Sequence, residues 1–282
     1  MSLHVFDLLR DAAVGFLLPT AVGLAGSMPV SQPRDPGFPV AQTVQVRAGA
    51  MMFAEPGEFL SGKQPVAAPK TRVAFDGGVE IMKYQVSLID YGRCVDAGAC
   101  RPAGPTPSAT RGVPVTGVNY LDAQAYAEWY SQQTGETWRL PTDAEWAYVA
   151  AERFAGDEFS AYDPKNPAAA WIRRYRAEAE RKRAPDPQPK TQGHYGANSN
   201  GVFDLAGNVW EWTSTCYVRT TLSAAGAVER AIDNCGVRVV EGRHRAYMSN
   251  FIRDGKSGGC ATGTPPENLG FRLAREPAPA IS

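Results

Sequence analysis

Histidine is scarce in this 282-residue chain: His4, His194 and His244 are the only three, so a metal centre built on several imidazoles cannot be assembled. The five cysteines form no Cys-x-x-Cys pair, which removes a zinc ribbon. Net charge is absent too. The 29 Lys and Arg balance 29 Asp and Glu, against the basic excess expected of a nucleic-acid binder. Long apolar runs are limited to Ala12–Gly26, which is short and broken by Pro19, a poor fit to a membrane span. What the chain has instead is turn chemistry, with 28 Gly and 22 Pro, so a helical bundle is disfavoured. Its 44% hydrophobic and 21% charged content is ordinary for a globular chain long enough to bury a real core.

The ends carry an address. Residues 1–26 read as a secretory signal, with small residues Gly23 and Ala25 ahead of a cut, although Asp7 and Asp11 weaken the basic n-region. The alternative is a hydrophobic N-terminal helix lying on the domain. Residues 27–44 read as a Pro-rich linker, 45–276 as the domain, and 277–282 as a disordered tail. The cysteines favour a periplasmic or secreted location, with no membrane span left after cleavage. Cys94 and Cys100 bracket a tight turn, and Cys216 and Cys235 flank what reads as an irregular segment of 18 residues. Each pair is a candidate disulfide, leaving Cys260 alone, and five free cytosolic thiols are the alternative.

Local patterning predicts a strand over Val79–Val86, with Val79 and Ile81 on one face. Asn119 with Asp122 three residues on predicts a capped helix whose stripe is Ala123, Tyr126, Ala127 and Tyr130, and Gly135 stops it. A second helix starts at Thr142 with Glu145 in the capping-box position and Trp146, Val149 and Ala150 inward. These predict helices near 120–134 and 142–153. A basic helix is expected over 168–183, most simply a solvated face anchored by Trp171 and Tyr175.

Within Asn198–Tyr217, NSNGVFDLAGNVWEWTSTCY, Glu211 sits between Trp210 and Trp212 beside a Gly-Asn turn. Two physical readings are open. Asn208, the Val209 carbonyl and Glu211 could hold Ca²⁺, since hard cations want oxygen ligands. Glu211 could instead accept hydrogen bonds from buried donors.

GNVWEW, WRLPTDAEWAYVAA (138–151), NLGFRLARE (268–276), PVTGVNYLDAQAYAEWYSQQTG and IMKYQVSLIDYGRCVDAGAC together resemble the formylglycine-generating enzyme, or sulfatase-modifying factor, family, in the family's order and over roughly 45–276. The resemblance implies an α+β, variant C-type-lectin-like fold, loop-rich, with a small antiparallel sheet and two main helices. It also implies a peptide or protein substrate, an oxidative chemistry and a monomer. The family's oxidases bind Cu(I) through two thiolates. Counted without gaps along Arg238–Asp254, those positions fall on Tyr247 and Ile252, so copper is not expected. The HxxxHxE iron set of a neighbouring branch is also missing. A single domain with paired cysteines and no thiolate pair is most similar to the exported branch associated with pyoverdine maturation or nitrite-reductase gene clusters.

The same stretch is chemically loaded. Arg243, Arg245, Arg253 and Asp254 are candidate ligand-binding residues, because guanidinium forks match planar oxyanions. His244 and Tyr247 are the candidate catalytic groups. Pairing of these residues with Glu241, Asp254 or Glu267 is the structural alternative, and Arg272 is read as a structural partner inside the fold. Two functions follow: an exported formylglycine-generating-enzyme-like protein that modifies a substrate or assists maturation of a redox enzyme, or a non-catalytic C-type-lectin-like binding module.

Overall fold

A computed structural model describes residues 37–104, 111–155, 188–255 and 268–277. The expected signal segment, the helix over 168–183, Cys260 and the tail from 278 lie outside the described residues.

Three sheets make the frame. In the first, β1 (Thr43–Val46) pairs antiparallel with β6 (Val79–Met82). Next to β6 comes β12 (Ala274–Arg275), and then β7 (Trp138–Arg139). Strands β2 (Gly49–Ala54) and β5 (Lys70–Phe75) form a two-stranded ribbon. The largest sheet runs β10 (Arg245–Ser249), β9 (Val228–Glu241), β8 (Trp210–Leu222), β3 (Glu58–Ser61) and β4 (Gln64–Val66). Both β3 and the two-residue β11 (Leu269–Gly270) pair with β8 in parallel. The architecture is the expected α+β class, but its sheets are larger and more mixed than one small antiparallel sheet.

The predicted strand over 79–86 ends early, at Met82. Its ladder with β1 ends where Thr43 faces Met82, with one further bond from the Lys83 N–H to the Gln42 carbonyl. Beyond that point the backbone finds other partners: Val86 donates to Phe271 and accepts from Val115. Val79 and Ile81 are buried on one face as the alternation required.

Three α-helices occur among the described residues. The Ser87 side chain caps α1 (Leu88–Asp96). The second, α2 (Tyr120–Thr134), has the reciprocal Asn119–Asp122 capping box and ends on Gly135 at φ 66°, a left-handed conformation that costs glycine little. In α3 (Asp143–Ala150) the Thr142–Glu145 box operates, and a single 3₁₀ turn follows over Ala151–Arg153. Tyr126 and Tyr130 on α2 stack at 5.7 Å in an aromatic core that includes Tyr91, Trp138, Trp212 and Phe271. A second core joins Ile81, Trp146, Val149 and Leu205.

Glu145 does more than cap. Burial alone would raise its carboxyl, but hydrogen bonds and charge from Arg139, with the Thr142 N–H, bring it below the usual 4.5. A depressed carboxylate contributes stability above the unfolded-state value, and that contribution is lost as pH falls through the folded-state value. Glu145→Gln should therefore flatten the acid limb of the stability–pH curve below about pH 4.5 while lowering stability at pH 7. Urea unfolding across pH 3–7 reads both effects, and an unchanged acid limb would rule out the linkage.

Both expected disulfides are present, Cys94–Cys100 and Cys216–Cys235. The segment between Cys216 and Cys235 is not irregular, however. It is the distal half of the β8–β9 hairpin, turning over Ser223–Ala227 with Gly226 at φ 81°. Its β9 arm is exposed throughout 228–236, so apolar and polar residues need not alternate there and the strand leaves no period-two pattern to read. A non-reduced digest should yield the 94–100 and 216–235 linked peptides, and a bridge from Cys260 to either partner of the second pair would overturn that pairing.

Candidate functional site

The loop from Asp204 to Glu211 is built on three non-glycine residues with positive φ: Asp204 (60°), Ala206 (58°) and Asn208 (66°). Such conformations persist only where surrounding contacts over-determine them. Those contacts are present. The buried Asp204 carboxylate accepts from the N–H groups of Gly193 (2.6 Å) and Tyr195 (2.8 Å). The carbonyls of Asp204 and Gly207 turn inward onto Gln85 Nε2, each at 3.3 Å, and Glu211 Oε1 meets the same nitrogen at 2.8 Å.

Glu211, fully buried on β8, is saturated. Oε1 also accepts from Arg272 Nη2 (2.7 Å), while Oε2 accepts from Arg272 Nε (2.6 Å) and Trp146 Nε1 (2.9 Å). Four donors fill the four lone-pair sites of a carboxylate. Asn208 is turned elsewhere, its amide clasping the backbone N–H and C=O of Lys190 at 2.8 and 2.9 Å. Asn208, Val209 and Glu211 therefore do not fit Ca²⁺. The two side chains do not converge, and the Arg272 guanidinium lies where a cation would be repelled. The hydrogen-bonded reading describes this loop, and Arg272 has the structural role expected of it.

The β9–β10 hairpin places the other candidates. Glu241 pairs directly with Arg245 across the strands, and the connection is Gly242-Arg243-His244. Gly242 must be glycine, because a Cβ there would lie 2.5 Å from the Trp210 ring. Arg243 is exposed and lines a cleft of about 20 Å³ with Tyr195, Asn208, Trp210 and Asn268. His244 is buried, its ring edge-on to Trp210 at 4.6 Å and its Nδ1 2.8 Å from the Arg245 carbonyl, to which it donates.

The arginines do not form a clamp. Arg245 points into the protein, where it meets Asp143 (2.9 Å), Glu241 (3.2 Å) and the Ala54 carbonyl (3.1 Å) above the Phe53 ring. Arg253 turns the other way, joining Arg101 on the buried Asp122 carboxylate at the start of α2. Tyr247 accepts the Gly57 N–H at 2.7 Å and packs edge-on to Tyr217. Asp254 is exposed near the end of its described segment. Arg245 takes the local partner Glu241 that the structural alternative offered, but Arg245 and Arg253 are also drawn to acids distant in sequence, Asp143 and Asp122, and those partners leave no local spacing signal. The expectation of a shared oxyanion site from Arg243, Arg245, Arg253 and Asp254 is corrected accordingly: the acids on this frame already take Arg245 and Arg253. Gln85, Trp146, Asp143 and Asp122 were not singled out as site residues. Asp122 had a readable signal as a cap and Trp146 as an inward helix residue, but neither pointed to the partner it meets.

These contacts join the WEW strand, the LPTDAEW helix and the NLGFR segment through one carboxylate. The sulfatase-modifying factor enzyme 1-like domain matches residues 37–277, most of the chain. The chain belongs to the sulfatase-modifying factor family. The formylglycine-generating enzyme of Mycobacterium tuberculosis is 33% identical over 233 residues, covering 76% of this chain and 65% of that protein. That of Streptomyces coelicolor is 30% identical over 175 residues, covering 58% and 52%. The chain thus spans about half to two thirds of the length of these curated relatives. The solved structure of PvdO from Pseudomonas aeruginosa superposes with a TM-score of 0.51 at 19% identity, over 84% of this chain and 95% of that one, a likeness of fold.

In this sulfatase-modifying-factor domain the residues on and around β10 do not fit a copper dithiolate. Residues 236–259 contain no cysteine. Tyr247 offers a phenol already engaged by a backbone N–H, and Ile252 packs partly buried against the aromatic core. A phenol is a hard, protonated oxygen at neutral pH, and isoleucine has no ligand atom.

Proposed function

We propose that this family member acts on a peptide or protein, in an oxidative modification or in the maturation of a redox enzyme, by a route that does not use two cysteines on β10. The observation that carries the reading is the combination of an intact family frame, held by Glu211 and Arg272, with Tyr247 and Ile252 at the counted thiolate positions. The two disulfides support an oxidising, extracytoplasmic location. The shallow cleft beside Trp210, with Arg243 exposed on its rim, supports a surface contact with substrate rather than an enclosed pocket, since its volume of about 20 Å³ holds no more than a water-sized group.

A second reading, a non-catalytic binding module, is favoured by one observation. Arg245, Tyr247 and Arg253 are committed to frame contacts, so the loops present recognition surface more than reacting groups. One experiment addresses both. Copper-treated full chain incubated with a CxPxR peptide should leave the peptide mass unchanged. A loss of about 18 Da, the thiol-to-aldehyde change, would overturn the reading of β10. Oxygen uptake with candidate peptides then supports modification, whereas saturable peptide binding without uptake supports the binding module.

A further inference from the structure

A second cavity, of about 590 Å³, lies between residues 39–42, the start of α1 and the inner face of α2. That volume suits a small molecule. Among the described residues it shares no lining residue with the Trp210 cleft. Met82, Val86 and Ile89 supply apolar wall, and Tyr126 and Tyr130 reach it as a stacked pair.

The polar groups are unevenly satisfied. Asp90 is neutralised locally by Arg93 (2.6 Å) and also accepts from the Ser87 hydroxyl. The Tyr130 hydroxyl accepts the Ala41 N–H at 2.7 Å. The Tyr126 hydroxyl has no hydrogen-bond partner among the described residues, although its residue is only 1% exposed and lines the cavity. Its oxygen opens on the cavity itself, where it is available to a polar atom of a ligand. Arg111, also on the cavity wall and exposed, has no acidic partner among the described residues. Among the described lining residues the charged ones are Asp90, Arg93 and Arg111, which leaves Arg111 as a positive charge beyond the Asp90–Arg93 pair. The capped N-terminus of α1 adds to it in sign.

We propose that this cavity is a binding site for a small carboxylate with an apolar, aryl-type body. The carboxylate pairs with Arg111, the Tyr126 hydroxyl hydrogen-bonds a polar atom of the ligand, and the body lies against the apolar wall. The proposal is independent of the chemistry at the Trp210 cleft.

Calorimetric titration of the full chain with 4-hydroxyphenylacetate, and separately with its uncharged amide, tests it. The acid should bind about tenfold or more tightly than the amide, as a charge-assisted pair requires. Arg111→Met, a surface change, should bring the acid down to the amide's affinity. Tyr126→Phe, which keeps the stacked ring, should weaken both ligands about three- to tenfold. Equal affinity for acid and amide, no binding of either at millimolar concentration, or an Arg111→Met protein that still prefers the acid would each overturn the proposal.

Discussion

Arg272→Met should cost the fold about 3–5 kcal/mol, the loss typical when one member of a buried ion pair is removed and the other stays. The Arg272 and Glu211 side chains are 0% and 1% exposed, and Glu211 would retain only the Trp146 and Gln85 donors. Arg272 also donates to the carbonyls of Met82, Lys83 and Phe203, so those bonds would be lost in the same step, although Lys83 keeps the Phe203 N–H as a donor. Adding Glu211→Gln to the variant should recover part of the loss, because the uncompensated charge goes with it. The deficit should be the same in Ca²⁺ and in EDTA. A larger deficit in Ca²⁺ would show that Glu211 is a cation ligand after all. Denaturant unfolding of the single and double variants in both buffers measures each quantity.

Arg245→Met should be comparably damaging, again by about 3–5 kcal/mol, because Asp143 and Glu241 share this one guanidinium in the interior. Its pH dependence is diagnostic. The Glu55 carboxyl is raised above 4.5 by desolvation first and by Asp143 second, with Arg245 opposing. A raised carboxyl contributes stability below the unfolded-state value and loses it as pH rises through the folded-state value. Removing Arg245 lifts Glu55 further, so the loss extends to higher pH. The variant's deficit should deepen from pH 4.5 toward pH 7, and Glu55→Gln in the same background should reduce that slope without abolishing it, because the Asp143 and Glu241 carboxylates left without Arg245 contribute to it as well. A deficit independent of pH would separate Glu55 from the Arg245 cluster.

Much of the frame was legible before any coordinates. Asn119 with Asp122, Thr142 with Glu145, and Gly135 are local signals, each set by which backbone donors a helix end leaves open, and the helices begin and end where those residues direct. The Cys94–Cys100 and Cys216–Cys235 pairings were also readable. The long hairpin between the second pair was not, because solvent on both faces of the 228–236 arm erases the alternation that marks a strand. At the candidate site the failure is of another kind. Residue types on and after β10 showed that charges were present and offered Glu241 as a partner, but Asp143 and Asp122 lie on other elements, and pairing across such distances is decided by packing. Gln85 gave no signal at all. Nothing in MKYQVS says that its amide will face three oxygens contributed by a loop more than a hundred residues later.

The position of β12 has a consequence for synthesis. It sits between β6 and β7, and Arg272, just before it, bonds the Met82 carbonyl across 190 residues of sequence. A nascent chain emerging N-terminus first presents β6 long before its neighbour exists, and Glu211 before its counter-ion. The first sheet and the buried ion pair can therefore close only after residues 272–275 have been made, and contacts of such long sequence separation are the ones that slow a fold's formation.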